Sequence, residues 1–335
     1  MAKNHKITIA EIAQELGVST TLVSMVINGK ADQHNINKKT QKRVWDKIKE
    51  LDYKPNTVAR SLRTGKTQSI GLIVADISNP FYAKLARVIE DQLREKGFHL
   101  IISSSDENPE NEENLIHTML EHQVDGLIIA STQKNKAPFK QLQSQSHPFV
   151  LVDRNIPELK ASYVGVNNYQ SAYSLTKTII EKGYSEIYYL SVKPDHLSTI
   201  RERERGYLDA IGTKQPLIKK VSFNNPCTDV ENIIKEIHQN GFKKPALFSS
   251  NNHLAKCCMN TIRKLNLKIP DDIGLASFDD IELFEFSNPP VTAIAQPISK
   301  MGILVAGLLI DQITGEQIAT KNYILETKTV NRKSI

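Results

Sequence analysis

Residues 7–30 read ITIAEIAQELGVSTTLVSMVINGK, and the spacing of caps and apolar positions in this stretch decides how the chain begins to fold. Thr8 and Glu11 form a capping box, in which a hydroxyl and a carboxylate satisfy each other's backbone N–H groups at the start of a helix. Ile12 and Leu16 share one face of that helix, and Gly17 closes it. Ser19 caps a second helix over 20–28, with Leu22, Val23, Val26 and Ile27 on its apolar side before Gly29 ends it. Only Gly17, Val18 and Ser19 join the two, which sets the second helix across the first as in a helix-turn-helix and lets it project into a major groove. Asn37 caps a third helix with Val44, Ile48 and Leu51 at successive turns, so three short helices share one small core.

Charge separates this segment from the remainder. Residues 1–66 hold thirteen Lys and Arg against six Asp and Glu, whereas everything after Lys66 holds 30 basic and 31 acidic residues. A basic excess confined to one end suits a polyphosphate partner, because phosphate contacts release condensed counterions. At 335 residues and 40% hydrophobic content the chain can bury two or three cores. No run of about 18 apolar residues and no leader precede the fold, so a cytoplasmic, nucleoid-associated protein without a membrane partner is expected. Cys227, Cys257 and Cys258 are odd in number and lack metal-ligand spacing, which supports neither a disulfide framework nor a zinc site.

Beyond the third helix, Pro55 and Asn56 open a segment, TVARSLRTG at 57–65, that is helical in pattern but too short to be stable alone in water. Strand-like runs then alternate with amphipathic helices. SIGLIVAD (69–76), FHLIISSSD (98–106), VDGLIIAST (124–132) and PFVLVDR (148–154) make one series; YVGVNN (163–168), EIYYLSV (186–192), VSFN (221–224), ALFSSN (246–251) and IGLASFDD (273–280) make a second. Continuous apolar strands interleaved with helices mean parallel sheets covered on both faces. Two such α/β sheets imply two lobes, with ligand in the cleft at the carboxyl ends of the strands.

The runs quoted above, with LDYKPNTVARSLRTGKTQSIGLIVADISNPFYAKLARVIE (51–90), STIRERERGY (198–207), NNHLA (251–255) and AIAQP (293–297), resemble the lactose-repressor/galactose-repressor (LacI/GalR) family of bacterial regulators over nearly the whole chain. The loop at 30–36 is similar to that of the fructose-repressor branch. The resemblance implies a helix-turn-helix DNA-binding domain at 1–54, a hinge helix and linker at 55–66, and a core at 67–335 of the periplasmic-binding-protein type. Lobe one is expected at about 67–160 plus 291–320, and lobe two at about 161–290 plus 321–335.

The family positions carry over residue by residue. Thr20, Thr21 and Met25 occupy the base-reading positions of the second helix, while Ser19, Ser24 and Asn28 serve phosphates or caps. Met25 stands where many members carry Arg, which removes a guanine contact. In the hinge, Leu62 matches the residue that wedges into the central base step of the operator, Val58 and Ala59 match helix and groove contacts, and Asn56, Arg60 and Arg63 match backbone contacts. In the core, Asn79, Phe81, Tyr82, Asp153, Arg154, Thr199, Arg203, Phe223, Asn251, Asn252, Asp279 and Gln296 match effector positions. That set suits a polyhydroxyl ligand: carboxylates accept from paired hydroxyls, guanidinium groups donate in a fork, and aromatic faces cover the apolar side. Arg201 and Arg205 add positive charge that would favour a phosphorylated or acidic effector, although two exposed arginines are the commoner explanation of such a pair.

The implied protein is a homodimeric, sugar- or sugar-phosphate-controlled repressor of a palindromic DNA operator that needs no cofactor. Two alternatives stand beside it: a sugar-binding protein without a DNA role, and a regulator controlled by a phosphorylated carrier protein. An enzyme is not indicated. Gly65-Lys66-Thr67 ends like a P-loop, but Arg60 occupies the place of the first glycine, and no nucleophile, base or metal set has a supporting context.

Overall fold

The computed structural model describes residues 7–53, 65–193, 195–241, 244–316 and 319–335. It divides into two compact units, Met1–Thr67 and Gln68–Ile335.

In the first unit, α1 (Ile9–Leu16), α2 (Thr20–Ile27) and α3 (Lys38–Glu50) close around Ile12, Val23 and Val44, all fully buried. The expected caps are present. Thr8 N–H donates to Glu11 Oε2 at 2.7 Å, Glu11 N–H donates to Thr8 Oγ1 at 3.3 Å, and Ser19 Oγ accepts from Leu22 N–H at 3.1 Å. Gly17 takes the left-handed conformation (φ 63°) that lets its N–H return to the α1 carbonyls, a turn a side chain would strain. Arg43 of α3 donates to the Leu16 carbonyl at 3.1 Å, placing a cation at the negative end of α1.

The second unit holds two six-stranded sheets. In lobe one the strand order is β2 (His99–Ser104), β1 (Ser69–Val74), β3 (Gly126–Ile129), β4 (Phe149–Val152), β5 (Ser162–Val166) and β11 (Asn322–Leu325), all parallel. In lobe two it is β7 (Leu217–Val221), β6 (Ile187–Val192), β8 (Ala246–Ser249), β9 (Gly274–Phe278), β10 (Thr292–Ala295) and β12 (Lys328–Val330), with β12 antiparallel. The connecting helices are α4 (Pro80–Glu95), α5 (Pro109–Glu121), α6 (Lys140–Ser144), α7 (Asn168–Glu181), α8 (Ser198–Ile211), α9 (Pro226–Gln239), α10 (Asn252–Lys264), α11 (Glu282–Phe286) and α12 (Ile298–Thr314). Interior strands such as β3, β4 and β8 are buried on both faces because helices cover both, which is why they read as unbroken apolar runs.

Three expectations are corrected. The lobe boundaries shift: β5 and β11 belong to lobe one and β10 to lobe two, so the chain crosses after β5, after β10 and after β11. Burial pattern alone does not distinguish a last strand of one sheet from the first strand of the next. The seventh strand runs Leu217–Val221 and ends where VSFN begins, its half-exposed lysines having hidden it. Finally, Cys227 and Cys257, 30 residues apart in sequence, are joined by a disulfide with Cα atoms 4.9 Å apart. The packing of α9 against α10 makes them neighbours, and cysteine spacing carries no trace of that.

The helix pair α7 and α8 also meets closely. A Cβ on Gly206 would collide with the Tyr169 carbonyl oxygen and lie 2.9 Å from the Tyr173 backbone nitrogen, so Gly206→Ala should destabilise the core by about 3 kcal/mol in urea unfolding. Gly307→Ala in α12, where a Cβ meets nothing within 4 Å, should be neutral or stabilise by about 0.5–1 kcal/mol.

Candidate functional site

The two lobes face each other across a cavity of about 390 Å³. Both sheets run in the order 2-1-3-4-5, so each has a point beside its first strand where successive connections diverge to opposite faces. Crevices form at such points, outside the carboxyl ends of the strands. Asp76, Ser78 and Asn79 follow β1 there, and Asn251 and Asn252 follow β8. All twelve core residues matched from sequence line this one cavity.

On the lobe-one wall Asp153, at the end of β4, is held in the left-handed region (φ 63°) with its carboxylate accepting from Tyr82 Oη at 2.9 Å. Its carbonyl accepts from Tyr163 Oη at 2.8 Å. Burial pushes the Asp153 carboxyl above its ordinary range, opposed by the charges of Arg154 and Arg203, and pushes Tyr82 well above a normal phenol. Arg154 forms a two-pronged pair with Glu107, at 2.6 and 2.5 Å. Asn79 caps α4, accepting from Phe81 N–H at 3.0 Å, and so presents Phe81 and Tyr82, edge to face, at the cavity.

On the lobe-two wall Arg203 is only 4% exposed. Its Nε donates to Asn168 Oδ1 and its Nη1 to the Ser250 carbonyl, both at 2.8 Å, and its plane lies 3.6 Å from the centre of the Phe278 ring. Asp279, next along from Phe278 and also left-handed (φ 67°), accepts from Gln296 Nε2 at 2.6 Å. Asn251 caps α10 through Leu254 N–H, Thr199 is buried in the first turn of α8, and Phe223 stands 38% exposed at the rim. Asn252 reaches across the cleft, its Nδ2 donating to Asn79 Oδ1 at 2.9 Å. Asn252 Oδ1 and Gln296 Oε1 are buried acceptors with no partner among the described residues.

Arg201 and Arg205 lie elsewhere. Two positions from Arg203 on a helix is the far side, and both border a separate surface depression with Asp195, Glu204 and Lys220, Arg205 covering the Tyr169 ring. The charge expected from them near an effector is therefore absent from the cleft. Conversely Asp76, Glu107, His253 and Lys256 line the cavity without having been singled out. The first two follow β1 and β2, where the strand-end rule finds them; His253 and Lys256 sit in the opening turns of α10 and carry no such signal.

In the first unit Ser19, Thr20, Thr21 and Asn28 are exposed and Ser24 and Met25 half-buried along α2. Asn28 Nδ2 is engaged by the Ser24 carbonyl at 2.6 Å, closing the helix. Asn56, Val58, Ala59, Arg60, Leu62 and Arg63 lie outside the described residues.

Residues 8–56 match the family described as bacterial regulatory proteins, lacI family, and residues 67–333 match that of periplasmic binding proteins and sugar binding domain of LacI family. The chain is 30% identical over 334 residues to the HTH-type transcriptional regulator KdgR of Bacillus subtilis (strain 168), covering 98% of this chain and 97% of that one. A transcriptional regulator CelR–cellobiose complex is similar in structure (TM-score 0.70, 26% identity, 98% and 99% of the two chains). A lac repressor dimer bound to operator and the anti-inducer ONPF shares the fold (TM-score 0.85, 20% identity, 98% and 99%). With its first unit matched over 8–56 and its second over nearly its whole length, and its curated relatives regulators, not enzymes, the chain belongs to the LacI family of bacterial DNA-binding transcription regulators.

Proposed function

We propose that this protein is a homodimeric repressor of a palindromic operator, released or engaged by a sugar bound in the cavity between its lobes. The observation that carries the effector reading is the cavity itself, where Asp279, Asp153, Arg203 and two unpartnered amide oxygens converge under the rings of Phe81, Tyr82 and Phe223. Carboxylates and amide oxygens accept from hydroxyls, the guanidinium donates, and the rings cover C–H faces, a division of labour that fits a sugar. Of the Lys and Arg side chains in the cavity, Lys256 alone makes no hydrogen bond or ion pair among the described residues, and a phosphate on the sugar would sit against it. The domain roles follow the chain: 1–54 binds DNA, 55–66 is the hinge, and 67–335 binds effector. Thr20, Thr21 and Met25 read bases, with Ser19, Ser24 and Asn28 at the phosphates. Hinge residues Asn56, Val58, Ala59, Arg60, Leu62 and Arg63 act in the minor groove. This assigns the protein to the nucleoid in the cytoplasm.

Exposed apolar side chains support the dimer. Ile101 and Ile102 stand 40% and 41% exposed on β2, the edge of the lobe-one sheet, and Leu283 and Phe286 stand 49% and 80% exposed on α11. An uncovered sheet edge with apolar side chains is costly in a monomer and suits a second copy.

Three outcomes are expected. Asp279→Asn keeps the left-handed backbone but removes the carboxylate, and should weaken the best ligand of a mono- and disaccharide panel roughly 10- to 100-fold by calorimetry, with unchanged melting. Deleting residues 1–66 should leave that ligand binding intact while abolishing selection of any inverted-repeat site from random duplex; retained selection would defeat the assignment of the first unit. Pairing Ile102→Asp with Phe286→Asp should convert a dimer to a monomer in sedimentation velocity.

A further inference from the structure

Cys227 and Cys257 occupy a place where a bond between them bears on the cleft. Cys227 is the second residue of α9, directly after Pro226, and Cys257 directly follows Lys256 on α10; Pro226 and Lys256 both line the cavity. The bond therefore ties the segment carrying Phe223 and Asn224, which line the same wall, to the helix that begins with Asn252. His253 stands beside them: its ring nitrogen and the two sulfurs lie within 4.8 Å of one another, the only such group of metal-capable side chains among the described residues.

We propose that Cys227, Cys257 and His253 form a reversible thiol-redox site at the mouth of the cleft, whose disulfide pins the Phe223–Pro226 wall to α10 and whose reduction frees it.

The three residues divide the chemistry. Cys227 is exposed, at the second position of α9, and so is the sulfur that small molecules can reach. Cys257, 2% exposed, is the resolving partner. Burial and then Lys256 hold the His253 pKa below its ordinary value, which favours the neutral imidazole, and its ring nitrogen lies close enough to both sulfurs to relay a thiol proton. Asp76 faces it with the opposing sign. Cys258 makes the contrast: it is fully buried, its thiol pushed up to about 12 by burial, and its sulfur is 3.8 Å from Ser249 Oγ, away from this chemistry.

Oxidation by a low-molecular-weight disulfide, RSSR, runs in two exchanges. The Cys227 thiolate attacks one sulfur of RSSR, forming a mixed disulfide and expelling RS⁻. The Cys257 thiolate then attacks Cys227 Sγ, forming the protein disulfide and expelling the second RS⁻. The two cysteine protons pass through His253 and solvent to the leaving thiolates, so the pair gives up two electrons and RSSR becomes two RSH. A dithiol reverses each step.

The full-length chain tests this with oxidised glutathione and dithiothreitol. Under native oxidation the titratable thiols revealed on unfolding should fall from three to one, with the loss of two hydrogens mapped to peptides containing Cys227 and Cys257, and dithiothreitol should restore them. His253→Gln should slow native oxidation about tenfold without preventing it, an effect that a merely structural histidine would not have. Amides at 222–225 should exchange about tenfold faster in the reduced chain and in Cys227→Ser, with the rest of lobe two unchanged. Failure of the thiols to pair, a persistent glutathione adduct, or equal exchange in both states would overturn the proposal. So would tight stoichiometric zinc binding by the reduced chain that protects these thiols from glutathione, which would make the trio a metal site instead. None of these readouts requires the effector or the operator, so they stand apart from the regulatory reading above.

Discussion

A buried guanidinium sets the architecture of the cleft. Removing the Arg203 charge from water costs several kcal/mol unless its donors and its plane are answered. The answers come from three elements: Asn168 at the start of α7, the Ser250 carbonyl after β8, and the Phe278 ring at the end of β9. Once those three are gathered around Arg203, the residues that follow them in sequence have no freedom of place. Asn251 and Asn252 come next after Ser250, and Asp279 after Phe278, so these cavity-lining groups of lobe two are positioned by the requirements of one side chain that is itself at the cavity wall.

The contacts that cross between lobes are individually modest. Asn252 bonds to Asn79, His196 Nε2 meets the Thr132 carbonyl at 2.8 Å, and Ser198 Oγ accepts from Asn155 N–H at 2.9 Å. Lys84 and Glu282 pair at 3.0 Å, but both are well exposed and their attraction is screened. Neutral hydrogen bonds contribute about 1 kcal/mol each after exchange with water. Lobes held together by so little would respond to a ligand that bridges both walls, and the response would be bounded by the ligand's preference for one lobe arrangement over another.

Local chemistry was legible wherever it was carried by neighbours in sequence. The capping box at Thr8, the Ser19 cap and the apolar faces of α1 to α3 depend on residues within four positions of one another, and they appear where expected. The twelve cleft residues were found because ligand groups collect after strand ends and the family resemblance numbered them; that they share one cavity is geometric, and their contact with a sugar is still a proposal. What escaped depended on distance in sequence. The exchange of β5, β10 and β11 between sheets is a matter of which strands pair, and neither the buried runs of β5 and β10 nor the mostly exposed β11 names its partner. Arg201 and Arg205 are exposed and turned from the cleft, the commoner of their two readings; number and sign alone carry no helical phase. The Cys227–Cys257 bond joins residues brought together only by the packing of α9 on α10.

Effector control of DNA needs a mechanical path, and connectivity narrows it. Each chain joins its basic unit to its core through a single segment, which enters the core at Ser69, the first residue of β1. The other end of that strand delivers Asp76, Ser78 and Asn79 to the cavity. Six residues of largely buried strand span about 20 Å, so β1 is a stiff element with cavity-lining residues after its carboxyl end and the connection from the first unit at its other end. On the proposed reading, a hinge at 55–66 that is too short to be helical alone would gain its stability from DNA and from its counterpart in a second chain. On that same proposal, a rotation of one lobe against the other about contacts such as Asn252–Asn79 would change the spacing of two hinges. An effector would then need only to bias the lobe angle to change operator affinity, so the proposed base-reading positions on α2 and the residues lining the cavity could vary independently in one chain.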